Sequence, residues 1–133
     1  FWMPFSPMMT LEQAKKILEI SKSLPKDNFS PWMMHSFDCK INFRDSIQAA
    51  LHPYDSTTRA QIVTRDTNNQ IYELLKIVGK KTGIEVLLNT SFNLHGYPIV
   101  QDYKDAIYVL LNSGLNYLVI ENYLVSKKIN NIH

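Results

Sequence analysis

Cysteine, glycine and proline are all scarce: one, four and six among 133 residues. Cys39 closes no intramolecular disulfide by itself, and no Cys/His spacing around it forms a zinc site. A reducing, cytoplasmic setting is the expectation. The low glycine and proline content excludes collagen-like and low-complexity character. No apolar run approaches the roughly 18 residues of a transmembrane helix, and no basic-then-apolar leader opens the sequence. No membrane is expected as a partner. Charge of one sign is scarce as well. Fourteen Lys and Arg against twelve Asp and Glu leave a net charge of +2. Nucleic acid is not an expected partner, because its binders carry a dense basic face.

What is present is ordinary globular composition, 45% hydrophobic and 20% charged, too apolar for a solvated chain. The length fits about one domain, with about two thirds of the unfolded surface available for burial. The chain opens Phe1-Trp2-Met3-Pro4-Phe5, which reads as the start of a piece of a longer protein. Neither an internal repeat nor a domain linker is visible.

Periodicity places the elements. Thr10-Leu11-Glu12-Gln13 has a capping-box pattern and opens a helix over about residues 10–23, closed by Pro25, with Lys15, Lys16 and Lys22 on its solvated face. Trp32 to Phe37 reads as a buried strand, and a short helix is placed around Phe43–Leu51. Gln61–Thr64 reads as a strand. Ile71, Leu74, Leu75 and Val78 form the apolar face of a helix over 69–82, with Lys80 and Lys81 at its negative end and Gly83 as its left-handed cap. A strand follows at 84–88, so strand, helix and strand have the size of a βαβ unit. Asp102 caps a third helix, with Ala106, Ile107, Leu110 and Leu111 inward and Gly114 ending it. Tyr117–Ile120 is the last strand, and the tail from Lys127 reads as frayed. Alternating elements predict an α/β fold. The five methionines read as core filler, and His35 and Cys39 as core or rim.

Two constellations carry possible chemistry. The loop Asn89-Thr90-Ser91-Phe92-Asn93-Leu94-His95-Gly96-Tyr97-Pro98 follows a strand, where open α/β sheets bind ligands. Its hydroxyls and amides suit phosphate oxygens, and Gly96 allows close backbone approach. A polar turn satisfying its own backbone is the competing reading. The second is His52-Pro53-Tyr54-Asp55-Ser56-Thr57-Thr58-Arg59, where an arginine beside an aspartate and hydroxyls could clamp a phosphate or carboxylate. The alternative is a solvated arginine next to an Asx turn.

The string Leu87-Leu88-Asn89-Thr90-Ser91-Phe92-Asn93, with Gly96 and Pro98-Ile99-Val100, resembles the C-terminal domain of the NodU/TobZ/CmcH-type carbamoyltransferases. So do Asp55–Gln61, Phe1–Pro7, Ser30-Pro31-Trp32-Met33 and Ser113–Asn116, in the same order along nearly the whole chain. Tyr97 stands where members often have an acidic residue, and Met3 where many have arginine.

The resemblance implies a YrdC-like twisted mixed sheet with packed helices. It makes residues 1–133 a partial domain of a longer biosynthetic enzyme whose N-terminal Kae1-like domain lies outside this sequence. It implies an ATP-dependent O-carbamoyltransferase. This domain would bind carbamoyl phosphate and ATP, with Mg2+ accompanying the ATP, and form carbamoyl-adenylate. The carbamoyl group would then pass to a hydroxyl acceptor on the other domain, so these residues alone are expected to be inactive in transfer. The carried-over catalytic set is Arg59, Ser91 and Asn93, with Ser91 and Asn93 holding phosphate or carbamoyl oxygens and Arg59 neutralising the phosphate. Asn89, Thr90, His95, Gly96, Asp55 and Thr57 are the accompanying binding residues, and no metal site is expected. A threonylcarbamoyl-adenylate synthase of the YrdC type and a non-enzymatic nucleotide-binding module are the alternatives.

Overall fold

The computed structural model describes residues 5–20 and 30–127, in two compact units, Phe1–Thr90 and Ser91–His133. The fold is mixed α/β, as expected. The Pro25 helix stop and Lys22 lie outside the described residues, as does most of the tail.

The first unit is organised by a strand that the sequence pattern hid. β1 (Ser6–Thr10) lies at the centre of a three-stranded sheet, between β4 (Gln61–Val63) and β5 (Val86–Asn89). It runs parallel to β4, with Met9 opposite Ile62, and antiparallel to β5, with Met9 opposite Val86. β4 and β5 are therefore neither neighbours nor parallel, and the expected βαβ unit is not formed. The helix between them, α2 (Asn69–Thr82), instead carries the chain over one face of the sheet.

The pleat of β1 explains the two cores, because alternate residues point to opposite faces. Met9 and Ile62 face one way and pack with Ala14, Ile17, Leu18, Phe37 and Cys39. Met8, Val63 and Leu87 face the other way, against Tyr72 and Leu75 of α2. Of the expected α2 face, Leu75 is fully buried and Ile71 and Val78 are half-buried, but Leu74 is exposed and Tyr72 takes its place. Arg65 lies over the Tyr72 ring, 4.9 Å from its centroid. Asn68 caps α2 by accepting from the Ile71 amide, and Gly83 closes it with φ 86°.

α1 (Leu11–Ile17) is shorter than expected. Leu18 leaves the helix in an extended conformation and bridges to Cys39, with the Glu19 amide donating to the Asp38 carbonyl. The Trp32–Phe37 strand is also overturned. Only Phe37 belongs to β2 (Phe37–Asp38), which pairs with β3 (Thr57–Thr58). Met33 has φ 57°, and Trp32 and Met34 are more than 70% exposed, so the segment is a turn and Met34 fills no core. The short helix around 43–51 takes the form of 3-10 turns, Ile41–Phe43 and Asp45–Ala50.

One carboxylate joins these pieces. Glu85, just ahead of β5, accepts from Lys76 of α2 and from the Thr10 hydroxyl at the end of β1. Its own amide donates to Gln13 Oε1 of α1 at 3.2 Å. Thr10 also caps α1, accepting from the Gln13 amide at 3.2 Å. Only half of the capping box forms, because the Gln13 side chain goes to Glu85 rather than back to Thr10. A Cβ on Gly79 would collide with Glu85 Cγ, so this glycine makes room for the node.

The second unit contains α3 (Tyr103–Leu111) and a hairpin of β6 (Tyr117–Ile120) and β7 (Tyr123–Ser126). Asp102 caps α3 through the amides of Lys104 and Asp105. Ala106, Val109 and Leu110 are its buried face, whereas Ile107 and Leu111 are exposed, a rotation from the expected stripe. Asn112, not Gly114, caps the end, and Gly114 does not take a positive φ. The hairpin was expected only as its first strand. Its turn places Glu121 at φ 51°. Among the described residues no helix is long and apolar enough to cross a membrane.

Burial pushes the Glu85 carboxyl up, but Lys76 and Thr10 together outweigh that and hold it below the ordinary range. A depressed carboxyl contributes stability above its unfolded value and loses it as pH falls through the folded value. Thermal unfolding from pH 7 down to pH 3 should therefore show the wild-type protein losing its advantage over Glu85→Gln in acid. Thr10→Ala should cost about 1 kcal/mol through the lost helix cap alone. A gap between wild type and Glu85→Gln that does not narrow in acid would remove Glu85 from this role.

Candidate functional site

In the first unit the predicted residues Arg59, Thr57 and Asn89 stand near the Ser6 end of the sheet, and Asp55 lies in the turn that leads to Thr57. Ser6 opens β1 opposite Asn89, the last residue of β5, and its hydroxyl donates to the Arg59 carbonyl. Asn89 Nδ2 donates to Gln61 Oε1 at 2.7 Å, and Gln61 Nε2 donates to the Pro31 carbonyl at 3.2 Å. The register of the central strand thus fixes where Arg59 and Asn89 stand.

Asp55 and Thr57 belong to a tight turn. The Ser56 amide donates to the His52 carbonyl at 2.9 Å and the His52 amide to the Thr57 carbonyl at 2.8 Å. Asp55 Oδ1 accepts from the Thr57 amide at 2.9 Å, the Asx geometry foreseen as the bland alternative. That backbone bond, a Thr57 side-chain bond and the nearby His52 hold the Asp55 carboxyl below its ordinary range. Ser56 sits at φ 58°, strained for a residue with a Cβ.

Arg59 lines a cavity of about 220 Å³ together with Phe5, Ser6, Ser36, His52, Thr57 and Thr58. Among the described residues no carboxylate pairs with Arg59. Two polar atoms of residues that line it, Thr58 Oγ1 and His52 Nδ1, are closed off from solvent and lack an aligned hydrogen bond among the described residues. Thr58 is 2% exposed. Buried polar groups are normally paired, which sets Thr58 Oγ1 apart, whereas His52 Nδ1 has the Asp55 carboxylate 3.3 Å away. Ser6, Ser36, His52 and Thr58 were not singled out as site residues in the sequence. His52 and Thr58 stood inside the second constellation, but nothing in a lone pattern tells which side chain loses its water. A larger open cavity of about 790 Å³, lined by Arg44, Asp45, Gln48 and others, also has His52 on its wall.

Thr90 ends the first unit, and Ser91, Asn93, His95 and Gly96 belong to the second. Thr90 and Ser91 are exposed. Asn93 Nδ2 donates to the Leu94 carbonyl at 3.1 Å and to the Tyr97 carbonyl at 3.0 Å. The Tyr97 amide donates to the Leu94 carbonyl at 2.9 Å, and Gly96 supplies φ 82°. This is a four-residue turn in which only glycine takes the third position without strain. His95 is exposed on it. A cavity of about 280 Å³ lies between the turn and α3, lined by Leu94, Tyr97, Ile99, Asp105 and Tyr108 among others.

Burial pushes the Cys39 thiol up, against the opposing charge of Arg44, which disfavours a thiolate nucleophile. Among the described residues no group of three His, Cys, Asp or Glu is placed to hold a metal ion.

Comparison with known proteins matches the Carbamoyltransferase C-terminus family model over residues 1–127, and the chain belongs to that family. It is 38% identical over 127 residues to protein MJ1051 of Methanocaldococcus jannaschii, covering 96% of this chain and 23% of that protein. It is 34% identical over 125 residues to nodulation protein NolNO of Sinorhizobium fredii, covering 94% of this chain and 18% of that protein. Nodulation protein NolO of Bradyrhizobium diazoefficiens is 33% identical over 125 residues, covering 94% and 22%. The chain thus spans about a fifth of the length of these relatives.

The turn carrying Asp55 can be tested apart from any ligand. Ser56→Val should destabilise the protein by about 1–2 kcal/mol, the cost of a left-handed backbone for a branched side chain. Ser56→Gly should be neutral or stabilising. Urea midpoints at constant slope measure both, and an unchanged midpoint for Ser56→Val would show the turn to be relaxed.

Proposed function

We propose that this chain is the substrate-activating part of an ATP-dependent O-carbamoyltransferase, binding carbamoyl phosphate and ATP and forming carbamoyl-adenylate. The observation that carries the reading is the 220 Å³ cavity, lined by Arg59, for which no carboxylate partner stands among the described residues, together with Thr57, Thr58 and His52. Family membership supplies the reaction class, carbamoyl transfer.

The chemistry needed is management of negative charge. Carbamoyl phosphate and ATP are rich in acceptor oxygens. Fixed donors in an enclosed site stabilise developing charge without reorganising. Arg59 offers a planar pair of donors to a phosphate. Thr57 and Thr58 bring hydroxyls, and Asp55 shapes the turn that presents them. Asn89 and Thr90 add an amide and a hydroxyl at the end of the first unit. On the second unit, taken by itself, Ser91, Asn93, His95 and Gly96 are the residues that the resemblance assigns to phosphate or carbamoyl oxygens, and the Asn93 amide there closes the turn on the Leu94 and Tyr97 carbonyls.

In the activation step water cleaves carbamoyl phosphate to carbamate and inorganic phosphate, and the carbamate oxygen then attacks the α-phosphorus of ATP as its bond to the leaving pyrophosphate breaks. No nucleophilic side chain of the protein is consumed. Magnesium carried in on ATP would supply further neutralisation of the triphosphate charge. The acceptor hydroxyl then attacks the carbamoyl carbon and AMP departs. That acceptor site is assigned to the remainder of the longer enzyme, so these 133 residues alone should yield no carbamoylated product.

Calorimetric titration of the protein with carbamoyl phosphate and with ATP tests the reading. A charge-assisted hydrogen bond is worth roughly 1.5–3 kcal/mol, so Arg59→Ala should weaken anion binding about tenfold to a hundredfold. Equal affinity of the variant at low salt would discard the role of Arg59. Failure of the wild-type protein to bind either compound would discard the function.

A further inference from the structure

We propose that His52, held by Asp55, is a second anion-binding group of the Arg59 cavity and takes up a proton when a phosphate-type dianion binds there. The inference rests on that cavity being the anion site.

His52 Nδ1 is closed off from solvent, and the Asp55 carboxylate stands 3.3 Å away. The pair is close but not aligned as a hydrogen bond, as often seen in sites that tighten only around their ligand. Asp55 is itself fixed by the Thr57 amide and stays ionised across the neutral range. A permanent negative charge beside Nδ1 places the proton of the neutral ring there. Nε2 is then an acceptor. A dianion presents only acceptors, so an imidazole in that state repels it. A second proton turns Nε2 into a charged donor, and the imidazolium then lies between two anions, Asp55 and the ligand.

The surroundings leave His52 as the group that changes charge. Arg59 shares the cavity wall, and Arg44 and Asp45 line the larger cavity on which His52 also borders. The arginines remain protonated at any working pH. Tyr54 flanks the ring at 5.7 Å between centroids and supplies no charge near neutrality. Binding to the neutral ring must draw that proton from solution.

Sulfate is the direct probe, because its charge is constant between pH 6 and pH 8. The protein should bind sulfate roughly tenfold more tightly at pH 6 than at pH 8, a difference within reach of one charge-assisted contact. At pH 7.5, calorimetry in buffers of different ionisation enthalpy should register proton uptake approaching one per site. His52→Gln should bind weakly, without pH dependence or uptake, and Asp55→Asn should flatten the profile. The His52 ring signal in the wild-type protein, followed by NMR, should titrate at higher pH with sulfate present, a readout that needs no variant to fold. Uptake that persists in His52→Gln, or a His52 signal indifferent to sulfate, overturns the proposal. If sulfate and carbamoyl phosphate bind, weaken in Arg59→Ala and show no pH dependence, His52 alone is excluded. If neither binds, the anion site itself falls and His52 with it.

Discussion

The Glu85 carboxylate is the constraint on which the first unit depends. A charged group that is largely shielded from water is unfavourable by itself, and this one is made tolerable by Lys76, Thr10 and the room left at Gly79. Each partner comes from a different element. Lys76 belongs to α2, Thr10 closes β1 and caps α1, and Glu85 leads into β5. The orientation of both helices on the sheet is therefore tied to one point of charge. The opposite end of the same sheet, where Ser6 meets Asn89, is where the candidate ligand groups stand.

The chemistry of the cavity follows from the turn between His52 and Thr57. Much of the turn's backbone is engaged, within it by the Ser56–His52 and His52–Thr57 bonds and outside it by the Cys39 amide on the Ser56 carbonyl, so its side chains supply the remaining donors. Asp55 is satisfied by the Thr57 amide and thereby becomes a fixed charge, not a general base. Arg59 lacks such a partner among the described residues and is itself exposed, so its charge is open to solvent at the mouth of the small cavity.

The helices were the most legible part of the sequence. Asn68, Lys80, Lys81 and Gly83 each act locally, and α2 runs over 69–82 as their pattern dictates. Asp102 gave the start of α3 for the same reason, although the burial of Val109 in place of Ile107 depends on what packs beside it. β1 was not legible, because Pro7 argues against a central strand. The structure resolves this by beginning the pairing with β4 only at Met8, one residue beyond the proline. The βαβ reading failed for a related reason: strand adjacency is a property of distant partners, and the place beside β4 was taken by a segment some fifty residues upstream. At the candidate site, Arg59, Asp55 and Thr57 stand out in the sequence as a constellation to which the resemblance gives roles, and the structure puts Arg59 and Thr57 on one cavity. His52 and Thr58 acquire their significance only from enclosure, which no local pattern encodes.

The position of β1 has a consequence for how the chain is made. Its central strand pairs with β5 through Ser6 and Asn89, separated by roughly eighty residues, a high contact separation for so short a chain. Emerging from a ribosome, β1 has one edge without its partner until nearly the whole first unit has been synthesised. Met8 and Met9 remain unprotected during that interval, a window in which a growing chain is most exposed to mispairing with its neighbours.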